Sequence, residues 1–327
     1  MRNISFAEAI REALMEEMGA DPSVFIMGED IGVYGGARGI TKGFLEKFGP
    51  QRVIDTPISE MAIIGGGVGA ALAGMKPVCE LMLMAFSAVC FDEIQNLGGK
   101  WPFIHGDPAM KVPMVIRGPS GAGDGGVEPH AQSPEAFFMH CPGLKIAIPF
   151  SPYDAKGLLK TAICDDHPVL FFEHERLYAT TGPVPEESYS IPFGQAEITR
   201  AGKDATVIAA SYMVQKALEA ADLLAQEGVE TEVINLRTLI PLDEEAIYHS
   251  LEKTGRLIIV QEAYRTAGYG AEIAALAAEK AFSFLKAPVE RVAAPDYPIP
   301  YSVSLKKTYF PDAGAIAGAV RRALKYP

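Results

Sequence analysis

Residues 55–74 read DTPISEMAIIGGGVGAALAG, and the fold turns on whether this stretch is a helix. Its opening has the grammar of a helix start. Pro57 stands two residues ahead of Ser59, a residue type that caps helices, and Glu60 brings an acid to the first turn. The body departs from that grammar, because Gly65, Gly66, Gly67 and Gly69 each cost a helix roughly 1 kcal/mol relative to alanine. A helix here requires close packing against another backbone or a ligand, and Glu60 then stands at the rim of that contact. The plainer reading makes Glu60 a first-turn carboxylate serving free amides and the helix dipole, and the glycines a turn.

Outward from this stretch the chain alternates. Residues 75–83 read as a buried strand and 87–97 as a helix with Asp92, Glu93, Gln95 and Asn96 on its polar positions. Upstream, Ser5 with Glu8 three residues on forms a capping-box pattern before the stripe Ala7, Ile10, Ala13, Leu14. A strand at 24–27 is ended by Gly28, Glu29 and Asp30, and a loop at 32–39 carries Tyr34 and Arg38. Downstream come a strand at 112–117, a glycine-rich loop at 118–130, strands at 144–148 and 169–172, and a helix at 152–164 between them. Such alternation predicts a layered α/β domain with a mainly parallel sheet.

The alternation stops between 178 and 192, where Pro183, Pro185 and Pro192 mark a linker, and then restarts. Strands are expected at 205–210, 229–236, 257–261 and 289–292, with helices at 214–226, 243–253, 271–284 and 313–324. The reading is therefore two α/β domains, 1–180 and 195–327, joined by a linker at 181–194, each burying its own core.

A chain of 327 residues with 49% hydrophobic and 21% charged side chains is neither disordered nor fibrous. A formal charge of −12 leaves no basic surplus to displace phosphate counterions, so nucleic acid is not expected as a partner. Four scattered cysteines form neither a ligand cluster nor a disulfide framework, which points to a reducing cytoplasmic compartment. The apolar run at 81–91 is too short to cross a bilayer.

Among candidate site residues, Glu29 and Asp30 end a strand, a common place for ligand-binding groups, though solvated loop acids read the same way. His130 ends the glycine-rich loop and suits anion binding or proton transfer near neutral pH. His105, His167, His174 and His249 share no zinc spacing, and His174 between Glu173 and Glu175 reads as locally hydrogen-bonded. Cys90 and Cys141 have no adjacent base apart from His140, and no nucleophile-elbow motif occurs. Phe86, at a strand-to-helix junction, is placed to pack on a planar ligand. Glu262, Tyr264 and Arg265 follow a strand and read equally well as solvated charges.

Taken in order, Gly28-Glu29-Asp30, residues 55–60, Arg117-Gly118-Pro119, His130-Ala131-Gln132, the run from His140 to Lys145 and the run from Asp154 to Leu158 resemble one family over nearly the whole chain. That family is the β subunit of the thiamine-diphosphate-dependent first component of 2-oxo acid dehydrogenase complexes, of pyruvate, acetoin or branched-chain type. The resemblance implies a pyrimidine-binding domain followed by a transketolase C-terminal-like domain. It assigns to Glu60 the carboxylate that hydrogen-bonds the cofactor's aminopyrimidine and favours the imino form, whose nitrogen takes the thiazolium C2 proton. It makes His130 an active-site group near the acyl intermediate and lipoyl group, Glu29 a cofactor-proximal acid and Phe86 an aromatic beside the pyrimidine. It also places a structural K⁺ near Met114, Ala162, Asp165 and His167, chiefly on backbone oxygens.

Gly123-Asp124-Gly125-Gly126 invites comparison with the diphosphate motif of thiamine enzymes, but the downstream asparagines are missing. The resemblance therefore implies that a separate α subunit binds Mg²⁺ and the diphosphate, within an α₂β₂ heterotetramer that passes its acyl group to a lipoyl-bearing second component. Pyruvate is the leading substrate, with acetoin and branched-chain 2-oxo acids as alternatives. A noncatalytic α/β interaction protein is the reading from another class.

Overall fold

The computed structural model describes residues 1–107, 109–122 and 130–326. The chain opens with strand β1 (Arg2–Ser5) and helix α1 (Phe6–Ala20), which begins on the capping box read from Ser5 and Glu8. There follow β2 (Val24–Glu29), α2 (Phe44–Phe48), β3 (Val53–Thr56), α3 (Glu60–Leu72), β4 (Lys76–Glu80), α4 (Trp101–His105), β5 (Val115–Ser120), α5 (Glu135–Met139), β6 (Lys145–Ala147), α6 (Pro152–Cys164), β7 (Val169–His174) and β8 (Thr181–Val184). The second half carries β9 (Glu197–Arg200), β10 (Ala205–Ala209), α7 (Tyr212–Ala225), β11 (Thr231–Asn235), β12 (Thr238–Ile240), α8 (Glu244–Thr254), β13 (Leu257–Tyr264), α9 (Tyr269–Lys280), β14 (Glu290–Ala294), α10 (Val303–Lys306) and α11 (Ala313–Ala323). No helix of the described residues is long and apolar enough to cross a membrane.

A seven-stranded sheet has the order β12-β6-β7-β5-β4-β2-β3, and a five-stranded sheet the order β14-β13-β10-β11-β9. The seven-stranded sheet is parallel except for β12, and the second is parallel except for β9. On one face of the first sheet α1 and α6 pack through Ile10, Leu14, Leu158 and Leu159. Buried Lys156 and Lys160 of α6 are matched there by Glu12, Glu16 and Glu17 of α1. The opposite face holds Ile63, Ile64 and Val68 of α3 in a cluster that runs on into Ile208, Ile234 and Ile259 of the second sheet. Two separate cores were the expectation, but this one is continuous.

The expected linker is also more structured than its prolines suggest. Residues 181–184 form β8, which pairs antiparallel with β1, and Ile191 is tied to α6 by its amide on Gly157 O and its carbonyl on Thr161 Oγ1. Strand β12, contributed from beyond the linker, closes the edge of the first sheet against β6. Residues 87–97, read as one helix, form instead a 3₁₀ segment Met84–Ala88 and a π-helical turn Glu93–Gly99. The wide turn lets Gly99 lie where a Cβ would come within 3.0 Å of Pro142 O.

Residues 60–72 are helical, and the glycines divide between two faces. Gly67 lies against the sheet, where an added Cβ would fall 2.5 Å from Cys79 Sγ and 3.1 Å from Met114 Cε. Gly69 is exposed with nothing within 4 Å. Gly67→Ala is therefore expected to destabilise the chain by about 1–3 kcal/mol through overpacking, while Gly69→Ala should stabilise the isolated chain by about 1 kcal/mol. Denaturant unfolding of both variants checks the opposite signs, and equal signs would refute the facing.

Candidate functional site

Four parallel strands, in the spatial order β3-β2-β4-β5, set the site at their carboxyl ends, where open α/β sheets bind ligands. Glu29 is the last residue of β2, and β3 leads into α3, whose first residue is Glu60. Phe86 lies in the 3₁₀ segment after β4, and His130 lies downstream of the end of β5 at Ser120. Phe86 and His130 meet edge to face, ring centroids 5.5 Å apart. Sequence reasoning could place each residue at an element end, but only the strand order makes them neighbours.

Glu29 is buried, and its Oε1 finds no hydrogen-bond partner among the described residues. Burial raises its carboxyl above the usual range, and the charges of Glu60 and Asp30 add to the rise. Glu60 is half-buried. Ser59 precedes it at the cap position but does not cap, since its hydroxyl donates to Pro57 O at 3.0 Å. The helix thus presents Glu60 and its first-turn amides without a competing side chain. A buried acid with an unmatched oxygen beside a second carboxylate suits a ligand that supplies N–H donors, as an aminopyrimidine does.

The surrounding surface is apolar and open. Asp55 accepts hydrogen bonds from the amides of Gly32 and Val33 and so fixes a loop that leaves Tyr34 79% exposed. Ile58 is 80% and Met61 55% exposed, with Val89 nearby in sequence to Phe86 and also exposed. Apolar side chains standing free around a ligand-ready carboxylate pair mark a surface for another chain.

Beneath the site, Arg117 of β5 is completely buried between Glu80 of β4 and Glu173 of β7. Its Nη2 donates to Glu173 Oε2 at 2.7 Å, and Tyr178 donates its hydroxyl to the same oxygen at 2.8 Å. Nothing in the sequence pattern pointed to this triad. Its members occur on three strands, 37 and 56 residues apart.

Glu262 is not the solvated charge that its sequence neighbourhood allowed. It is buried within β13 and accepts hydrogen bonds from Ala122 N at 2.7 Å and His174 Nε2 at 2.8 Å. Burial works to raise its carboxyl, but His174 and the Ala122 amide outweigh burial and hold it below the usual range. His174 has the expected local bond, accepting from Arg176 N at 3.1 Å, and a distant one as well. A half-open cavity of about 320 Å³ lies beside this junction, lined by Ser133, Phe137, Glu262, Tyr264 and Tyr309. It touches none of Glu29, Glu60 and Phe86.

Glu135, also buried, is pushed up to about 7. Burial is the main cause, offset in part by its own backbone hydrogen bond and reinforced by Glu262. An acid whose folded value lies above its unfolded value of 4.5 costs no stability below that value. The cost grows as pH rises toward 7 and is constant beyond, at about 3 kcal/mol. Glu135→Gln should therefore unfold at higher denaturant than the parent protein at pH 8, and the gap should shrink toward pH 5. A pH-independent gap would refute the assignment.

Cysteine chemistry is disfavoured by the same physics. Burial, with Glu93 and Glu60 adding, pushes the Cys90 thiol up to about 12, and burial raises Cys141 as well. His140 is an exposed residue at the end of α5. The residues 123–129, including Gly123-Asp124-Gly125-Gly126, lie outside the described residues. Among the described residues no group of three or more His, Cys, Asp and Glu side chains could hold a metal ion.

Met114, Ala162, Asp165 and His167 gather at the opposite end of the first sheet. The carbonyl of Met114 accepts from Val169 N and that of Ala162 from Asp165 N, and each keeps a second lone pair for a cation. The Asp165 carboxylate is committed to Lys145 Nζ and to the amide and ring of His167. Carbonyl oxygens are the donors a monovalent cation takes, whereas those two side chains are already engaged with Lys145 and with each other.

Residues 2–181 match the family described as transketolase, pyrimidine binding domain, and residues 194–316 match transketolase, C-terminal domain. The beta subunit of acetoin:2,6-dichlorophenolindophenol oxidoreductase from Cupriavidus necator is 45% identical, over 99% of this chain and 98% of its own. The pyruvate dehydrogenase E1 component subunit beta of Rickettsia felis is 45% identical over 99% of each chain. The mitochondrial pyruvate dehydrogenase E1 component subunit beta-1 of Arabidopsis thaliana is 47% identical over 98% of this chain and 90% of its own. Among solved structures, a split-gene transketolase described as an inactive beta4 tetramer has a TM-score of 0.81 at 23% identity, covering 99% of each chain.

Proposed function

The chain belongs to the transketolase-like beta subunits of thiamine-diphosphate-dependent 2-oxo acid and acetoin dehydrogenases, and from that premise we propose that it is the beta half of a pyruvate dehydrogenase. It then supports oxidative decarboxylation and reductive acyl transfer to a lipoyl group on a second component. The observation that carries the site assignment is the buried Glu29, with one oxygen unmatched, facing Glu60 at the carboxyl edge of the sheet. Acetoin is the second substrate reading, supported by the Cupriavidus relative at equal identity.

Thiamine diphosphate, when bound, supplies a carbon nucleophile that adds to the 2-oxo carbonyl and accepts the electrons released by decarboxylation. This chain's residues would hold its pyrimidine end. Glu60 would accept a hydrogen bond from the ring and so set where its proton resides, Glu29 would offer its unmatched oxygen to a donor, and Phe86 would pack against the ring. His130, on the edge of Phe86, is placed to donate or accept a proton beside substrate. Mg²⁺ and the diphosphate are assigned to an alpha subunit, seated on the exposed apolar ring of Tyr34, Ile58 and Met61 in an alpha2-beta2 heterotetramer. The four free thiols, three of them buried, support a reducing, cytoplasmic compartment. A structural K⁺ is proposed at the Met114 and Ala162 carbonyls, and a higher unfolding midpoint in KCl than in NaCl at equal ionic strength is its test.

The deciding experiment co-purifies the chain with its native alpha partner and supplies Mg²⁺, thiamine diphosphate and an artificial electron acceptor with separate 2-oxo acids or acetoin. The expected result is cofactor-dependent acceptor reduction with pyruvate that neither chain gives alone. Absence of turnover with every substrate would leave the noncatalytic reading standing. In the same preparation Gly69→Ala, stabilising in the isolated chain, should weaken assembly if the partner's backbone lies on that face of α3.

A further inference from the structure

We infer that Glu262, contributed by the C-terminal half, is a positioning residue that fixes His130 by clasping both ends of the segment that carries it; the inference rests on the reading of His130 given above. The geometry is specific. Oε1 of Glu262 accepts from Ala122 N at 2.7 Å on the β5 side of the segment and from Ser133 Oγ at 3.3 Å on the far side. Between those contacts Gly121 N donates to Gln132 O at 3.0 Å, so the two ends are drawn together two residues from His130. Gly121 has φ +74°, and a Cβ there would fall 2.4 Å from His174 Nε2 and 2.7 Å from Glu262 Oε1. The clasp therefore requires glycine on both steric and conformational grounds.

The second oxygen is equally committed. His174 Nδ1 accepts from Arg176 N, which obliges Nε2 to carry the proton and donate it to Glu262 Oε2 at 2.8 Å. The imidazole stacks on Tyr212 at 4.9 Å between centroids, and Tyr212 opens α7 of the C-terminal half. Three donors thus converge on one carboxylate. Glutamine cannot replace it: whichever way its amide is turned, its NH₂ confronts either the His174 N–H or the Ala122 N–H.

The clasp is distinct from another polar joint between the two halves, where Arg237 Nε donates to Asp154 Oδ1 at 2.7 Å. That joint lies at β12 and α6, away from the His130 segment. It provides the control that separates positioning from general cohesion.

The test compares Glu262→Gln, Ser133→Ala and Arg237→Gln in the full chain co-purified with its alpha partner. Amide exchange at Ala122 should accelerate about 10-fold or more in Glu262→Gln and a few-fold in the milder Ser133→Ala. Turnover number should fall at least about 10-fold in Glu262→Gln with KM for the 2-oxo acid changed less than about twofold. Arg237→Gln should lower the unfolding midpoint and leave Ala122 exchange and turnover number as they were. Unchanged Ala122 exchange in both clasp variants, or faster exchange with undiminished turnover, would overturn the positioning role. Undiminished turnover in His130→Ala would instead overturn the assignment of His130, and the exchange results at the clasp would still stand.

Discussion

Replacing Glu60 by glutamine is expected to lower cofactor-dependent turnover by about 100-fold or more while leaving the protein folded and assembled. The argument starts from shape. Glutamine keeps the length and one acceptor oxygen, so packing at the start of α3 is retained, and the lost first-turn charge is worth only about 0.3–1 kcal/mol to the helix. What is lost is the carboxylate that can govern a proton on a bound ring nitrogen, and such proton control contributes about 10²–10⁴ in rate. Removing Glu60's charge also removes one of the causes that raise Glu29, so Glu29 moves back toward the ordinary range. Steady-state turnover with an artificial acceptor, read beside calorimetric cofactor binding and the unfolding midpoint, separates these effects. Near-parental turnover would end the proposed role of Glu60.

Arg117→Met is expected to have the largest effect on stability, at about 3–5 kcal/mol, a large share of the roughly 5–15 kcal/mol that holds most domains folded. The cost is less a lost attraction than a stranded pair. Glu80 and Glu173 are 3% and 0% exposed at their side chains, and without the guanidinium each loses this counter-charge in low dielectric and is driven toward its protonated form, Tyr178 still donating to Glu173. Adding Glu80→Gln and Glu173→Gln to Arg117→Met should therefore restore part of the loss, which denaturant unfolding can measure. If the triple variant were less stable than the single one, the attraction itself would be the dominant contribution. Glu80 also lies where a Cβ on Gly36 would come within 3.0 Å of its Oε1, so the loop beneath Tyr34 shares in the damage.

The legible parts of the fold were those with local causes. Helix α6 spans 152–164 as read, because Ser151 and Asp154 form a capping box and Pro152 opens the first turn. Helix α3 was one of two open readings, the plainer one making its glycines a turn, and Gly67 against Cys79 supplies the close contact that the helix required. The short strands β1, β3, β8, β9 and β12, each of three or four residues, were missed because so few residues cannot display a period. At the site, Glu29, Glu60, Phe86 and His130 could be singled out as element ends or by resemblance. Glu262 and His174 could not be paired, since 88 residues separate them and neither carries a local signal of the other.

Strand β12 has a consequence for how the polypeptide can be divided. The matched regions, 2–181 and 194–316, suggest two transferable modules. Yet Thr238 and Ile240 pair with Ala147 and Ile146, so a fragment ending in the linker would present β6 as a bare sheet edge, the template on which strands of other molecules recruit themselves. Such a fragment should aggregate when expressed alone, and the two halves of the chain should be inherited, recombined and unfolded as one unit.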